Sequence, residues 1–484
     1  MYDVVIVGGG PVGLFLACEL GLAGCAVLVL EREPESRTPG KALPLGMRGL
    51  NAGSVEAFYR RGMLADLGVA DDPHTTPRNL GHFAGIMLDA ANVDLATLPS
   101  PALEGHMTSL EAVETILAER AAKLGVHIER AVTVDAIDQD DQGVVARAGS
   151  REYRARWLVG CDGGRSVVRK TAGFEFTGTG PQLTGYVALT AIADPEKLSP
   201  GFNLTPHGMY LRTPIEGHLG MMDFDGGAFD RSRPPTREHL QQVLRRISGT
   251  DVTLNEVHQA ASFTDRAMQT TTYRRGRVLL AGDAAHIHSP LGGQGLNLGI
   301  GDAMNLGWKL AAAVHGHAPD ALLDTYTSER HPIGARVLDW SRAQVAVMRP
   351  DATAPALQGL IRDLLATRAG ATYVFGRVAG LSNTYDVGDA HPLAGRNAPD
   401  FRLQDGTRLG DLLQRGTGVL LDFRGDLEHA VAPWADRIHY AAGPAYDDLG
   451  LDGVLIRPDG VIAWAGERGG FVRAAAHWFG APTS

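Results

Sequence analysis

Asp3 to Val7 (DVVIV) is a short, unbroken β-branched run of the kind buried in a parallel sheet, and GGGPVG follows it at once. Beyond that turn, VGLFLACELGLAGCAVLVL from Val12 to Leu30 is apolar enough to suggest a membrane span. Glu19 in its middle and the break at Gly24 divide it into helix, turn and strand. WLVGC (Trp157 to Cys161) and RVLLA (Arg277 to Ala281) read as two more buried strands, each running into a turn with glycine and aspartate. The apolar periodicity after SPLGGQGLN predicts a long helix through about His315. Leu322 to Met348 reads as a scaffold helix or helices, broken or kinked at Pro332. Between Phe174 and Thr272, stretches such as TGYVALTAIA and GMYLRT alternate and predict a second, sheet-rich domain.

The turns carry the candidate chemistry. Gly8, Gly10 and Gly13 stand in G-x-G-x-x-G register, allowing a tight turn, a close approach to a pyrophosphate and close helix packing, with the helix N-terminus aimed at the phosphates. Glu31 ends the next strand, 18 residues past Gly13, where an acidic side chain accepts hydrogen bonds from a ribose 2′-hydroxyl. Some 270 residues later, Gly282 and Asp283 end a strand, and Pro290, Gly292, Gly293 and Gly295 precede the long helix. The N–H groups of Gly295, Leu296 and Asn297 fall at its start, a geometry suited to delocalised negative charge such as that of a reduced flavin. One extended cofactor explains both turns, with adenosine and pyrophosphate at the first and isoalloxazine at the second. Asp162, Gly163 and Arg165 form a third strand-to-helix turn near the same crevice.

Composition narrows the partners. The 484 residues carry 45 Lys and Arg against 55 Asp and Glu, a net charge of −10 with no long basic block, so nucleic acid is not an expected partner and a small molecule is. Cys18, Cys25 and Cys161 show neither disulfide nor zinc spacing; no signal peptide is read at Met1, and a reducing cytoplasm is expected. No metal is expected either, because the His286 and His288 pair lacks a third ligand nearby. Cys161 reads as a packing residue.

GGGPVG, CDGGRSVVR and GDAAHIHSPLGGQGLN, in that order, resemble the three fingerprints of the FAD-dependent aromatic hydroxylases, the para-hydroxybenzoate hydroxylase superfamily; the likeness spans residues 1 to about 370. AGRNAPDFRLQDGTRLGDLL and GVLIRPDGVIAWAG (Ala394 to Gly466) resemble the thioredoxin-like tail of the phenol and polyketide hydroxylase branch. The tail lacks cysteine, so a structural or dimer-forming role is expected there, leaving a homodimer open. The resemblance implies an α/β fold: a Rossmann-like FAD-binding domain at 1–173 and 273–370 with an inserted segment at about 75–108, a substrate-binding sheet domain at 174–272, and a thioredoxin-like domain at 388–484.

It also implies FAD held by Gly8, Gly10, Pro11, Val12, Gly13, Glu31 and Arg32. Asp162 and Gly163 serve FAD and a transient NADPH or NADH, Asp283 serves the FAD ribose, and Pro290 with Gly293, Gly295, Leu296 and Asn297 surrounds the ring. The implied reaction takes O2 as co-substrate and, through a C4a-hydroperoxyflavin, passes one oxygen to an aromatic or polyketide substrate, with Pro290 and Gly293 beside the peroxide and no base assigned. Baeyer–Villiger oxidation, epoxidation and a non-catalytic flavin sensor stay open. Two departures stand out: KALPLGMRGLNAGSVE has Gly53 where a family arginine is expected, leaving Lys41 or Arg48 to replace it, and Leu110 stands where a flavin-side glutamine is common. Tyr186, Tyr210, Arg212, Met222 and Phe224 are the candidate substrate residues, with ordinary sheet packing as the competing explanation.

Overall fold

The computed structural model describes residues 1–69, 80–95, 104–317, 321–447, 450–466 and 468–483. The inserted segment expected at about 75–108 lies partly outside them. Strand β1 (Tyr2–Val7) feeds the glycine turn and helix α1 (Pro11–Leu22), and β2 (Val27–Glu31) returns beside β1 in parallel. Every residue of β2 is buried, as a strand covered on both faces requires.

Next come β3 (Met47–Leu50), α2 (Ala52–Tyr59), β4 (His106–Ser109), α3 (Leu110–Lys123) and β5 (His127–Arg130). An antiparallel meander follows, in which β6 (Val144–Ala148) pairs with the first half of β7 (Arg151–Gly160). The second half of β7 enters the main sheet, parallel to β1 on one side and to β13 (Val278–Leu280) on the other. That sheet therefore sets the ends of β1, β7 and β13 side by side at their carboxyl edge, where ligands bind in open α/β sheets.

After the short helix α4 (Val167–Thr171), a five-stranded antiparallel sheet is built from β8 (Thr184–Ile192), β9 (Gly201–Thr205), β10 (Gly208–Arg212), β11 (His218–Asp223) and β12 (Leu254–Thr264), in the order β9-β10-β11-β8-β12. Helix α5 (Arg237–Ser248) covers one face with Leu240, Val243, Leu244 and Ile247. The other face joins Phe83, Leu291, Val345 and Met348 in a separate apolar cluster.

Helices α6 (Gln294–His315) and α7 (Ala321–Met348) pack side by side, followed by α8 (Ala354–Leu365) and α9 (Arg368–Val378). The break or kink expected at Pro332 does not divide α7. The N–H that proline lacks would have met the carbonyl of Ser328, an exposed residue, so the unpaired carbonyl falls on the solvent side of the helix. The C-terminal module runs β14 (Gly418–Asp422), β15 (Ile438–Ala442), β16 (Gly453–Ile456), β17 (Ile462–Gly466) and α10 (Phe471–Phe479). Its sheet order is β15-β14-β16-β17, with β14 parallel to β15 and the other pairs antiparallel, the thioredoxin-like arrangement. Among the described residues, no helix is long and apolar enough to cross a membrane.

Candidate active site

The three glycines of the first turn divide into two kinds. A Cβ on Gly8 would stand 2.4 Å from the Cys161 carbonyl oxygen, and one on Gly13 2.0 Å from the Gly8 carbonyl oxygen, so the packing of β7 and α1 onto the turn requires both. Gly8 also has φ +110°, a conformation L side chains rarely adopt. Gly10, the residue before α1, has nothing within 4 Å of its would-be Cβ, which leaves open space at the helix N-terminus. Pro11 occupies the first helical position, where its missing N–H costs nothing. Glu31 folds back over this turn, one carboxylate oxygen accepting from Gly9 N–H and the other from Glu33 N–H. Arg32 points outward and pairs with Glu33 at 3.2 Å.

Val12 joins the two distant turns. Its side chain fills a notch made by Gly282 and Gly299, where a Cβ would come within 3.1 Å and 2.4 Å of it. The turn after β13 is held from beneath by Asp302, which accepts from Gly282 N–H (3.1 Å) and Arg330 Nε (2.8 Å) and meets His286 Nε2 at 2.7 Å. These bonds hold the buried Asp302 carboxyl below its ordinary pKa against the desolvation that would raise it. Sequence reading missed Asp302 and Arg330, because an aspartate inside a helix and an arginine 28 residues later carry no local signal of contact.

Asp283, next to that platform, has no hydrogen-bond partner for its side chain among the described residues. Solvent reaches its side chain, yet protein crowds it closely enough that desolvation raises its carboxyl pKa, with His286 and Arg48 opposing the rise. Arg48 donates to the Leu45 and Met47 carbonyls, and burial lowers its pKa. Asp162 is divided in function: Oδ2 accepts from Val167 and Val168 N–H at 2.6 Å and 3.2 Å, while Oδ1 is buried without a partner. Burial raises its pKa also. Gly163 follows at φ +77° with open space about it.

At the second turn, Gly292 and Gly293 both adopt left-handed backbone, and Gly293 precedes α6. A 3-10 turn (Leu291–Gly293) leads into α6, which starts at Gln294, so the helix N-terminus lies at this turn. Asn297 is spent on structure, its amide donating to the Gly49 and Gly293 carbonyls while its oxygen accepts from Asn51 N–H, which fixes β3 against α6. His288 Nδ1 donates to the Ser289 carbonyl at 2.7 Å, leaving Nε2 buried and without a partner beside Gly295. Burial lowers this imidazole to about 4, so it is neutral near pH 7. Gln344 Nε2 is likewise buried and unpartnered, near Gly292. Pro290 is exposed at the turn.

The remaining expectations separate cleanly. Lys41 lies in an ion pair with buried Glu114 at 2.7 Å, whereas Arg48 is the basic group beside Asp283. Gly53 N–H bonds the Ala379 carbonyl. Leu110 opens α3, its N–H on the Gly46 carbonyl. Of the substrate candidates, Met222 and Phe224 lie in the apolar cluster with Leu291. Tyr186 and Tyr210 face the opposite side of the sheet, packed in the core under α5, with the Tyr186 hydroxyl at 2.8 Å from His239. Arg212 donates to the Pro195 and Leu198 carbonyls. Strand alternation decides these placements, and one residue of parity moves a side chain to the other face. The wall toward Leu291 is instead supplied by Phe83, Leu183, Met209 and Met222, with Phe263 packed against them.

Val12 packing against Gly282 and Gly299 sets the first turn, the open space at Gly10 and the Asp283 turn side by side, and an α/β turn with helix N-termini and carboxylates of this kind suits an extended, phosphate-bearing cofactor with an anionic ring. Comparison with known proteins agrees. The FAD binding domain family matches residues 1–341, and the aromatic-ring hydroxylase C-terminal family matches residues 391–482. A protein named as a monooxygenase from Claviceps purpurea is 46% identical, over 96% of this chain and 94% of its own. Rifampicin monooxygenase from Streptomyces venezuelae is 39% identical over the whole of both chains. The solved structure of OxyS anhydrotetracycline hydroxylase from Streptomyces rimosus superimposes with a TM-score of 0.88 at 35% identity, covering 100% of each chain.

Proposed function

The chain belongs to the FAD-dependent aromatic-ring hydroxylases, and from that premise we propose that it oxygenates a bulky polycyclic aromatic substrate held between the apolar face of its five-stranded sheet and the start of α6. When bound, FAD reduced by NAD(P)H supplies the activation of O2 from which one oxygen atom reaches the substrate. The observation that carries the reading is the Val12 contact, which brings two glycine turns some 270 residues apart side by side.

In this assignment the N-terminus of α1 and the open space at Gly10 receive the pyrophosphate. Glu31, with lone pairs left on both oxygens, receives the adenosine ribose hydroxyls. Asp283 accepts from a ribityl hydroxyl, and Asp162 Oδ1 faces the same crevice. Arg48, beside Asp283, takes the place open in the sequence to Lys41 or Arg48, since Lys41 is neutralised by Glu114. The first-turn N–H groups of α6 stabilise negative charge on the ring, and His288 Nε2 offers a neutral acceptor at its edge. Phe83, Leu183, Met209, Met222 and Leu291 exclude water from the reacting face and leave the substrate to be held mainly by shape.

The purified protein is expected to be yellow and to oxidise NADPH or NADH faster in the presence of particular polycyclic phenols. With 18O2, one labelled atom enters the product. The product structure distinguishes ring hydroxylation from Baeyer–Villiger insertion or epoxidation. A colourless protein that takes up no FAD on titration overturns the cofactor assignment, and flavoprotein without substrate-stimulated, oxygen-dependent turnover across a broad phenol and polyketide panel overturns the substrate assignment.

A further inference from the structure

A cavity of about 150 Å3 lies along α6 on the side facing the C-terminal module. Its lining extends along α6 from Gln294 to Asn305, about 16 Å at the helical rise of 1.5 Å per residue. Residues of α2, α7, α9 and the C-terminal module close it. Four arginines line it, and they fall into two classes. Arg330 is satisfied by Asp302 and by the Tyr385 hydroxyl at 2.8 Å, and Arg60 by Glu56 at 3.4 Å and by Asn397 at 2.7 Å. Arg336 is an exposed residue at the cavity's rim and has no hydrogen bond or ion pair among the described residues. Arg377 lies over the rings of Tyr373 (4.7 Å) and Trp340 (5.8 Å), has no carboxylate partner among the described residues, and keeps its Nε buried without an acceptor.

Nothing in the described lining neutralises these two groups. Asp459, the carboxylate there, is held by Arg457 and Asn305. Desolvation and the neighbouring charges of Arg377 and Arg330 lower the pKa of Arg336, as crowded like charges should. The Ser382 hydroxyl and the Asn383 side chain also line the cavity, with no hydrogen bond to the described protein. Two uncompensated guanidiniums beside free polar donors in one cavity match a planar or tetrahedral oxyanion, which a guanidinium fork can grip with two bonds.

We propose that this cavity binds the carboxylate or phosphate of a small molecule between Arg336 and Arg377, at the junction of the flavin-binding region and the C-terminal module. The Gln294 end of the cavity lies at the first turn of α6. The oxyanion therefore belongs either to an acidic substituent of the aromatic substrate or to a phosphate of the nicotinamide dinucleotide.

Calorimetric titration of the flavin-loaded protein with inorganic phosphate and with benzoate, at constant ionic strength, tests the site. At least one probe is expected to bind saturably. The double variant R336Q/R377Q should weaken that binding at least tenfold while its melting temperature stays level or rises, because neither arginine holds another element through an ion pair. Saturable binding by neither probe, or unchanged binding in a folded double variant, overturns the proposal. The binding measurement needs no turnover, so its failure is distinguishable from failure of the oxygenase reading. Two kinetic arms separate the sources. A KM raised for NADPH but not NADH assigns the site to the dinucleotide's 2′-phosphate, a KM raised for both assigns it to the pyrophosphate, and a KM raised for an acidic aromatic substrate but not its methyl ester assigns it to the substrate.

Discussion

Helix α6 passes through two charged neighbourhoods that are built in opposite ways. Near its start, Asp162 Oδ1, His288 Nε2 and Gln344 Nε2 are buried without partners among the described residues, and the solvent-reached, crowded Asp283 carboxylate has none among them either. About four turns further on, Lys309 Nζ meets Glu329 at 2.8 Å and Asn305 at 2.9 Å, while Arg457 grips Glu329 at 2.7 Å and 2.9 Å and also holds Asp459. Lys309, Glu329, Arg457 and Asp459 are all buried, and every charge in the group is opposed. The first arrangement leaves polar capacity that the proposed cofactor would fill. The second is complete in the protein alone and ties the C-terminal module to α6 and α7.

Breaking the saturated network should produce the largest effect. Glu329→Ala leaves Lys309 and Arg457 without their shared carboxylate, and equilibrium denaturation should show a loss of about 3–5 kcal/mol; a loss under about 1 kcal/mol would mean that water readily replaces the pair. The first glycine turn gives the converse. Gly10→Ala should lower FAD affinity about a hundredfold, ~2.7 kcal/mol, by fluorescence titration while the flavin-free melting temperature holds, because its methyl enters only open space. Gly13→Ala, pressed against the Gly8 carbonyl, should lower both.

A smaller effect is expected at Asp283. Asp283→Asn should reduce FAD affinity about tenfold, consistent with loss of a charge-assisted hydrogen bond of ~1.5–3 kcal/mol, yet raise the stability of the flavin-free protein. Acid titration sharpens the contrast, because the two carboxylates shift oppositely. The Arg457 and Lys309 charges hold Glu329 below its ordinary 4.5 against desolvation, so its stabilisation is present above that pH and fades as pH falls further. Glu329→Gln and the parent should therefore converge in denaturation midpoint in acid. Desolvation raises Asp283 above 3.8, so its penalty is present at neutral pH and disappears as pH falls through the raised value; the gain from Asp283→Asn should shrink in the same direction. Parallel pH profiles for the two substitutions would contradict the division drawn above.

Local patterns made much of this legible. β-branched runs ending in glycine turns marked β1, β7 and β13, and apolar periodicity placed the long helix to within its observed end at His315. What escaped were pairings between residues far apart in the chain, such as Asp302 with Arg330 and Glu329 with Arg457, because each polar side chain looks solvated until folding removes its water. Sheet parity escaped too: Tyr186 and Tyr210 have the right chemistry for a substrate wall, but the register turns them toward α5 while Met209 and Met222 face Leu291. Of the break or kink expected at Pro332, the break is absent, because α7 runs through it.

The notch that Gly282 and Gly299 form for Val12 also dictates a timetable. A nascent polypeptide emerging from the ribosome carries the first turn early, but that turn lacks its counterpart until residue 299 has been released. On the assignment proposed above, the ring-bearing end of the cofactor would have no berth until then, so flavin capture would be tied to the later part of synthesis and a product ending before residue 299 would be left without its prosthetic group.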